Sequence, residues 1–302
     1  MSWLFFSVAT AVLWGTAELF YKKGARPDEK YSHLKISVWV GVVMGIHAAY
    51  EIFVGGTEIN LSIMLTYLPV SLLYIGSMAL GYLGLRYIEL SISSPICNSS
   101  GALVAIMAII SGGFGEFHWL VFVAVALVCA GVIGLGIVES REDEELRAAR
   151  QEKSNYRYAK SWLALALPVA YCLLDALGTF ADNRVLEVLD EGSANVAYEL
   201  TFLLAGIFCF IYVVFIKKDL LILKAEVPKY TGAIFETAGQ FAYIYAIADS
   251  EHLALSAPII SAYCVASVLW SRIFLKEKLS AKHYAMVGLV VVGIVIMGVF
   301  DV

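Results

Sequence analysis

The sequence predicts an all-α membrane protein of ten transmembrane helices, arranged as two inverted five-helix repeats. Three observations carry this expectation. Apolar residues make up 60% of the 302-residue chain and charged residues 16%, against roughly 45–50% and 25% in soluble domains. The apolar residues gather into ten runs close to the ~20 residues that a helix needs to cross a bilayer core. The chain also repeats itself. Ser93-Ser94-Pro95-Ile96 opens an apolar run that a glycine-containing turn joins to a second run bearing Gly131 and Gly136, and Ser256-Ala257-Pro258-Ile259 opens a matching pair that closes on Gly288, Gly293 and Gly298. The offset is 163 from Pro95 to Pro258 and 162 from Gly131 to Gly293, so the halves stay in near register, as two copies of one ancestor would.

In order, the expected spans are Trp3–Tyr21, Ile36–Val54, Leu65–Leu85, Ser94–Ile110 and Trp119–Val138, then Ser161–Ala181, Asn195–Ile216, Tyr230–Ala248, Leu253–Leu275 and Ala281–Val299. Residues 1–138 form the first repeat, 139–160 a charged cytoplasmic linker and 161–302 the second repeat. Five spans per copy is an odd number, which forces the copies to insert with opposite orientation. The first run has no basic residue before it and no small-residue cleavage site, so it reads as a retained helix rather than a signal peptide. The linker mixes both signs of charge and reads as a solvated connector or as a regulatory or lipid-binding segment.

Basic residues orient the chain. Lys22, Lys23, Arg26, Lys30 and Lys35 fall between the first and second spans, Arg86 between the third and fourth, and Arg141, Arg147, Arg150, Lys153, Arg157 and Lys160 between the fifth and sixth. Lys217, Lys218, Lys224 and Lys229 lie between the seventh and eighth, and Arg272, Lys276, Lys278 and Lys282 between the last two. Only Arg184 falls on the opposite side, so both termini are expected outside the cytoplasm, in a multi-pass protein of the cell membrane.

The run Ile273-Phe274-Leu275-Lys276-Glu277-Lys278-Leu279-Ser280, followed by a glycine-punctuated apolar helix, resembles the end of an EamA domain of the drug/metabolite transporter superfamily. Tyr245-Ala246-Ile247 leading into Leu255-Ser256-Ala257-Pro258 fits the same pattern, as does Leu85-Arg86-Tyr87-Ile88 leading into Pro95. The resemblance implies a ten-helix carrier whose first, third, fourth, sixth, eighth and ninth spans surround a central cavity. It leaves the substrate open among amino acids, amines, sugars and nucleotide-linked cargo.

Charged side chains inside a bilayer cost a few kcal/mol each and so face a cavity or a partner. Within the expected spans these are Glu18, His47, Glu51, Asp175, Glu199 and Glu236, with no lysine or arginine deep enough to neutralise the acids. Trp14 with Glu18 and Tyr171 with Asp175 occupy matching places in the repeats, each pair spaced i, i+4 on one helical face. An aromatic ring one turn from a carboxylate suits an organic cation. Glu236, Gln240 and Tyr243 form one polar stripe, read as cavity lining or as an interhelical hydrogen-bonding seam. Asn98, in the small polar surface that includes Ser93, Ser94, Ser99 and Ser100, and Tyr263, in the matching span with Ser256 and Ser261, complete the candidate substrate site. Proline near the start of each of these two spans frees a backbone carbonyl or simply kinks the helix. Glu199 reads as a residue of the outer mouth or as an interfacial acid, Glu51 as an acid reaching the interface, and His47 as a partner for a neighbouring helix.

No G-x-S-x-G, H-E-x-x-H or Walker sequence is present, and the histidines, at 33, 47, 118, 252 and 283, are scattered. The five cysteines form no C-x-x-C motif and read as small buried hydrophobes. No enzyme, cofactor, metal or nucleic-acid partner is expected. The expected function is alternating-access transport of a small polar metabolite, a cationic or zwitterionic amine, by a monomer or homodimer. Glu236 or Glu18 is the candidate to trade a proton for the cargo, because burial raises a carboxylate's pKa. A carrier for amino acids, sugars or other neutral or anionic cargo, and a membrane receptor or assembly protein that moves nothing, stand as the alternatives.

Overall fold

The computed structural model describes residues 2–26, 28–112, 118–141, 162–186, 188–247, 260, 263–277 and 279–299. Among these there is no strand. The helices are α1 (Ser2–Gly24), α2 (Ser32–Tyr50), α3 (Leu61–Gly84), α4 (Leu90–Cys97), α5 (Ser100–Gly112), α6 (Trp119–Arg141), α7 (Trp162–Val185), α8 (Glu191–Phe210), α9 (Leu223–Ile247), α10 (Tyr263–Trp270) and α11 (Ala281–Val299). Short π-helical turns extend α2 through Gly55, α8 through Ile216 and α10 through Leu275. Most of the linker and the Ser256-Ala257-Pro258 motif, with Ser261, lie outside the described residues.

Five helical segments have the length and hydropathy to cross a membrane: Trp3–Gly24, Ser32–Gly55, Leu61–Gly84, Leu165–Asp182 and Glu191–Ile216. Trp119–Leu135, Tyr263–Leu275 and Ala281–Ile296 are shorter apolar helices. Large apolar side chains cover the outside, Phe53 at 84% and Ile110 at 74% exposure. Such a surface suits lipid rather than water.

Local chemistry sets the helix ends. Asn60 caps α3 by accepting from the Ile63 N–H at 3.0 Å. Asp190 caps α8 by accepting from Ser193 N–H at 2.9 Å, which holds its carboxyl below the usual range. Gly56, at φ 75°, and Lys218, at φ 56°, turn the chain after the two matching π segments. The expected single span Ser94–Ile110 is instead two helices. Ser99 Oγ donates to the Ile96 carbonyl at 2.5 Å, and this local bond competes with helix continuation at the Asn98–Ser99 joint. Glu277 supplies the cap of α4, accepting from the N–H groups of Leu90 and Ser91 at 3.1 Å each.

The end of the bundle that the sequence assigns to the cytoplasm is laced with polar contacts. Lys22 Nζ donates to the Leu85 and Ile88 carbonyls at 2.8 Å each. Lys35 and Lys229, which the sequence placed in connections between spans, belong to the first turn of α2 and the second turn of α9 and are 1% and 0% exposed. Lys35 pairs with Glu29 at 2.6 Å and Asp219 at 2.9 Å, and Lys229 with Glu29 at 2.9 Å and Glu226 at 3.2 Å. The connections fold back over the helix ends, and their acids neutralise the two lysines there.

Helix pairing follows a pattern. α1 packs on α9 and α3 on α7, α2 packs on α8, and α6 packs on α11. Glycines mediate these contacts. A Cβ on Gly131 would stand 2.6 Å from Val290 Cγ2 and 2.8 Å from the Met286 carbonyl, while one on Gly293 would stand 2.6 Å from Val128 Cγ2 and 2.7 Å from the Ala124 carbonyl. Adding 162 to 124, 128 and 131 gives 286, 290 and 293, so each surface uses the other's residues in exchange. Gly41 likewise meets the Phe202 carbonyl while Gly206 meets that of Ser37, and Trp14 packs on Gly239 as Tyr171 packs on Gly81. Reciprocal contacts of this kind are the signature of two-fold related surfaces. At Gly288, by contrast, nothing lies within 4 Å of a Cβ.

Alanine at Gly131 or Gly293 therefore forces helix backbones apart and is expected to cost about 1–3 kcal/mol. Alanine at Gly288 is expected to be neutral or slightly stabilising. Thermal unfolding in detergent compares the three variants.

Candidate functional site

Glu18 projects from α1 one turn beyond Trp14. Its Oε2 accepts from Ser94 Oγ of α4 at 2.5 Å and from Ser267 Oγ of α10. Three helices thus meet at one carboxylate. Asn98 stands behind it, its amide donating at 3.0 Å to the Ser94 carbonyl within its own chain segment. That bond fixes the end of α4, so Asn98 orients Ser94 rather than opening towards a ligand.

Glu236 of α9 lies within electrostatic range of Glu18 and beside the Tyr21 hydroxyl. Tyr21 and Tyr82 are 2% and 4% exposed, with ring centroids 5.0 Å apart, and neither hydroxyl meets a hydrogen-bond partner at ordinary geometry. Trp14 Nε1 donates to the Glu236 carbonyl at 3.3 Å, and its ring contacts Tyr243 and Tyr263 at centroid distances of 5.4 and 5.6 Å. Tyr263 is in electrostatic range of Glu18, Asp175 and Glu236 together. Tyr171 sits beside Asp175 and donates to Met78 Sδ at 3.7 Å. Asp175 finds Ser100 as its hydroxyl partner.

The structure thus brings Trp14, Glu18, Tyr171, Asp175, Glu236, Tyr243 and Tyr263 to one region at the centre of the bundle. Gln240 points aside, donating to Asn195 Oδ1 of α8 at 3.4 Å, which is the interhelical seam of the two readings. Among the described residues, no lysine, arginine or histidine pairs with Glu18, Asp175 or Glu236. All three lie within the bundle, approached by groups from other helices. They and their aromatic neighbours nevertheless keep accessible surface and are only half-buried.

Asp182, counted by the sequence reading as part of a connection, belongs to this interior. α7 continues to Val185, and Asp182 accepts from the Tyr67 hydroxyl at 2.9 Å. Its spacing of seven residues from Asp175 was the available signal. Tyr67, Tyr74 and Tyr82 of α3 were likewise legible as one helical stripe.

Glu199 does not stand at a mouth. It is 0% exposed and accepts from His47 Nδ1 at 2.8 Å, across the α2–α8 contact. Glu51 lies 3.7 Å from the other ring nitrogen, and Phe241 of α9 packs edge-on against the imidazole at 5.6 Å. His47 thus satisfies a neighbouring helix, as expected. Removing one partner of a buried pair is more costly than removing both.

Residues 164–299 match the model of the EamA-like transporter family. That family is part of the drug/metabolite transporter superfamily. The EamA-like half carries Asp175, Glu236, Tyr243 and Tyr263. No curated protein sequence matches the chain. A crystal structure of a protein at 15% identity superposes with a TM-score of 0.56, covering 97% of this chain and 94% of the other. That likeness is one of fold, and it spans both halves.

Replacing His47 by leucine is expected to destabilise the protein by about 3–5 kcal/mol, and the double substitution His47→Leu/Glu199→Leu by less. A double-mutant cycle on thermal unfolding in detergent measures the difference.

Proposed function

We propose that the protein is a secondary carrier built from two inverted five-helix repeats, and that it moves a cationic or zwitterionic amine by alternating access. The observation that carries this reading is a combination at Glu18, Asp175 and Glu236. Each is enclosed by protein yet keeps accessible surface, and none has a basic partner among the described residues. Both conditions hold together for side chains that line an internal hollow. Acids left without cations in such a hollow attract one, and the rings of Trp14, Tyr171 and Tyr263 offer it their faces. Burial without neutralisation otherwise leaves protonation as the outcome. Cargo and proton then compete for Glu236 or Glu18, which couples amine movement to a proton gradient.

The reciprocal glycine contacts support the repeat relation. Halves of five spans each, exchanged by a two-fold operation, require an axis in the membrane plane, and such an arrangement lets one half rock against the other around a fixed site. The hydroxyl groups around Glu18 support binding rather than catalysis. Ser94 and Ser267 are spent on the carboxylate, and among the described residues no imidazole stands beside either serine to activate it as a nucleophile. The match of residues 164–299 to the EamA-like transporter family points the same way.

Proteoliposomes are expected to take up alkyl or aromatic amines under an imposed proton gradient and to take up neutral sugars or anions poorly. Glu236→Gln is expected to abolish proton-driven uptake while leaving the protein folded; wild-type uptake by that variant would discard the site. A C-terminal reporter active only in the cytoplasm is expected to be silent, in keeping with the basic residues gathered at the other end. A bright reporter would reverse the assigned orientation.

A further inference from the structure

The site reaches further than one cation needs. Asp175 and Asp182 lie seven residues apart on α7, which places them on one face with a rise of about 10.5 Å between them. The Tyr74 and Tyr243 side chains each interact electrostatically with both acids, so the stretch between the two carboxylates is walled by tyrosine. Tyr74 reaches it from α3, its hydroxyl 3.3 Å from Thr179 Oγ1. Tyr243 reaches it from α9 and leads back to Trp14. Hydroxyl groups solvate the two acids without neutralising them: Tyr67 serves Asp182, and Ser100 serves Asp175. Among the described residues no basic side chain pairs with either. At the inner end, the buried and unpartnered hydroxyls of Tyr21 and Tyr82 stand beside Glu236. Two buried hydroxyls without a partner of ordinary geometry thus adjoin the inner acids.

We infer that the cargo carries two cationic groups, an elongated diamine or polyamine, with one ammonium held at the Glu18, Asp175 and Glu236 cluster and the second at Asp182. This rests on the amine-carrier reading and adds to it the length and valence of the substrate. A flexible methylene chain between the two charges lies along the tyrosine wall, where apolar contact and ring faces favour it. A monoamine fills only the inner anchor and leaves Asp182 to its tyrosine.

Calorimetric binding to purified full-length protein, with heptylamine, diaminopropane, diaminoheptane and diaminododecane as probes, tests the inference. Diaminoheptane, whose nitrogens are about as far apart as the two aspartates along α7, is expected to bind about tenfold or more tighter than heptylamine. Diaminopropane is expected to show no such gain, because it cannot span the two acids. In Asp182→Asn the ratio of diaminoheptane to heptylamine affinity is expected to collapse to about one, and heptylamine binding by the same sample reports that the site is folded. Equal binding of heptylamine and diaminoheptane by the wild-type protein overturns the two-anchor inference while the amine reading stands. So does a gain that survives Asp182→Asn. Failure of every amine to bind overturns both.

Discussion

An ionisable group enclosed in a lipid-facing bundle has to be solvated by the protein, and this structure meets that requirement in three different ways. At one end of the bundle, Lys35 and Lys229 are paired with Glu29, Asp219 and Glu226, so both signs of charge are buried together. Between α2 and α8, an imidazole serves Glu199. At the centre, Glu18, Asp175 and Asp182 receive, among the described residues, only hydroxyl groups. The first two solutions bind the helices to one another. The third leaves the carboxyl groups without a basic partner among the described residues, and that is the feature a carrier needs if its cargo is a cation. Three helices converge on Glu18 through Ser94 and Ser267, so a change in its charge is felt by α1, α4 and α10 at once.

Close backbone approach lets the helices bring these groups together. Trp14 lies over Gly239 and Tyr171 over Gly81, and each aromatic ring is held one turn from its acid by a contact that no larger residue than glycine permits. Packing and chemistry therefore share the same residues. The rings one turn from these acids are also the knobs that set the distance between α1 and α9 and between α3 and α7.

Much of the helical layout was legible in the sequence, because hydropathy reports directly on lipid contact. Span Ala281–Val299 was read to the residue, and the matched pairs Trp14–Glu18 and Tyr171–Asp175 pointed to the central site. What the sequence hid depended on where chain segments fold back. Lys35 and Lys229 look like connection residues until Glu29 and Asp219 return over them. Asp182 looks like the start of a connection until α7 is seen to continue. The division of one expected span into α4 and α5 comes from a hydroxyl-to-carbonyl bond at Ser99, which hydropathy does not register. Glu199 was misplaced because its partner, His47, lies 152 residues away in sequence, and no spacing rule connects the two.

The central claim is that Glu18, Asp175 and Glu236 enclose a space that a cation enters. An experimental structure determined with diaminoheptane at saturating concentration tests it most directly. The account predicts density for the amine against these carboxylates and the Tyr263 ring, with the Ser94 and Ser267 contacts to Glu18 retained or exchanged for the ligand. A structure in which the same acids are closed against protein groups, with the amine absent or bound elsewhere, would contradict it.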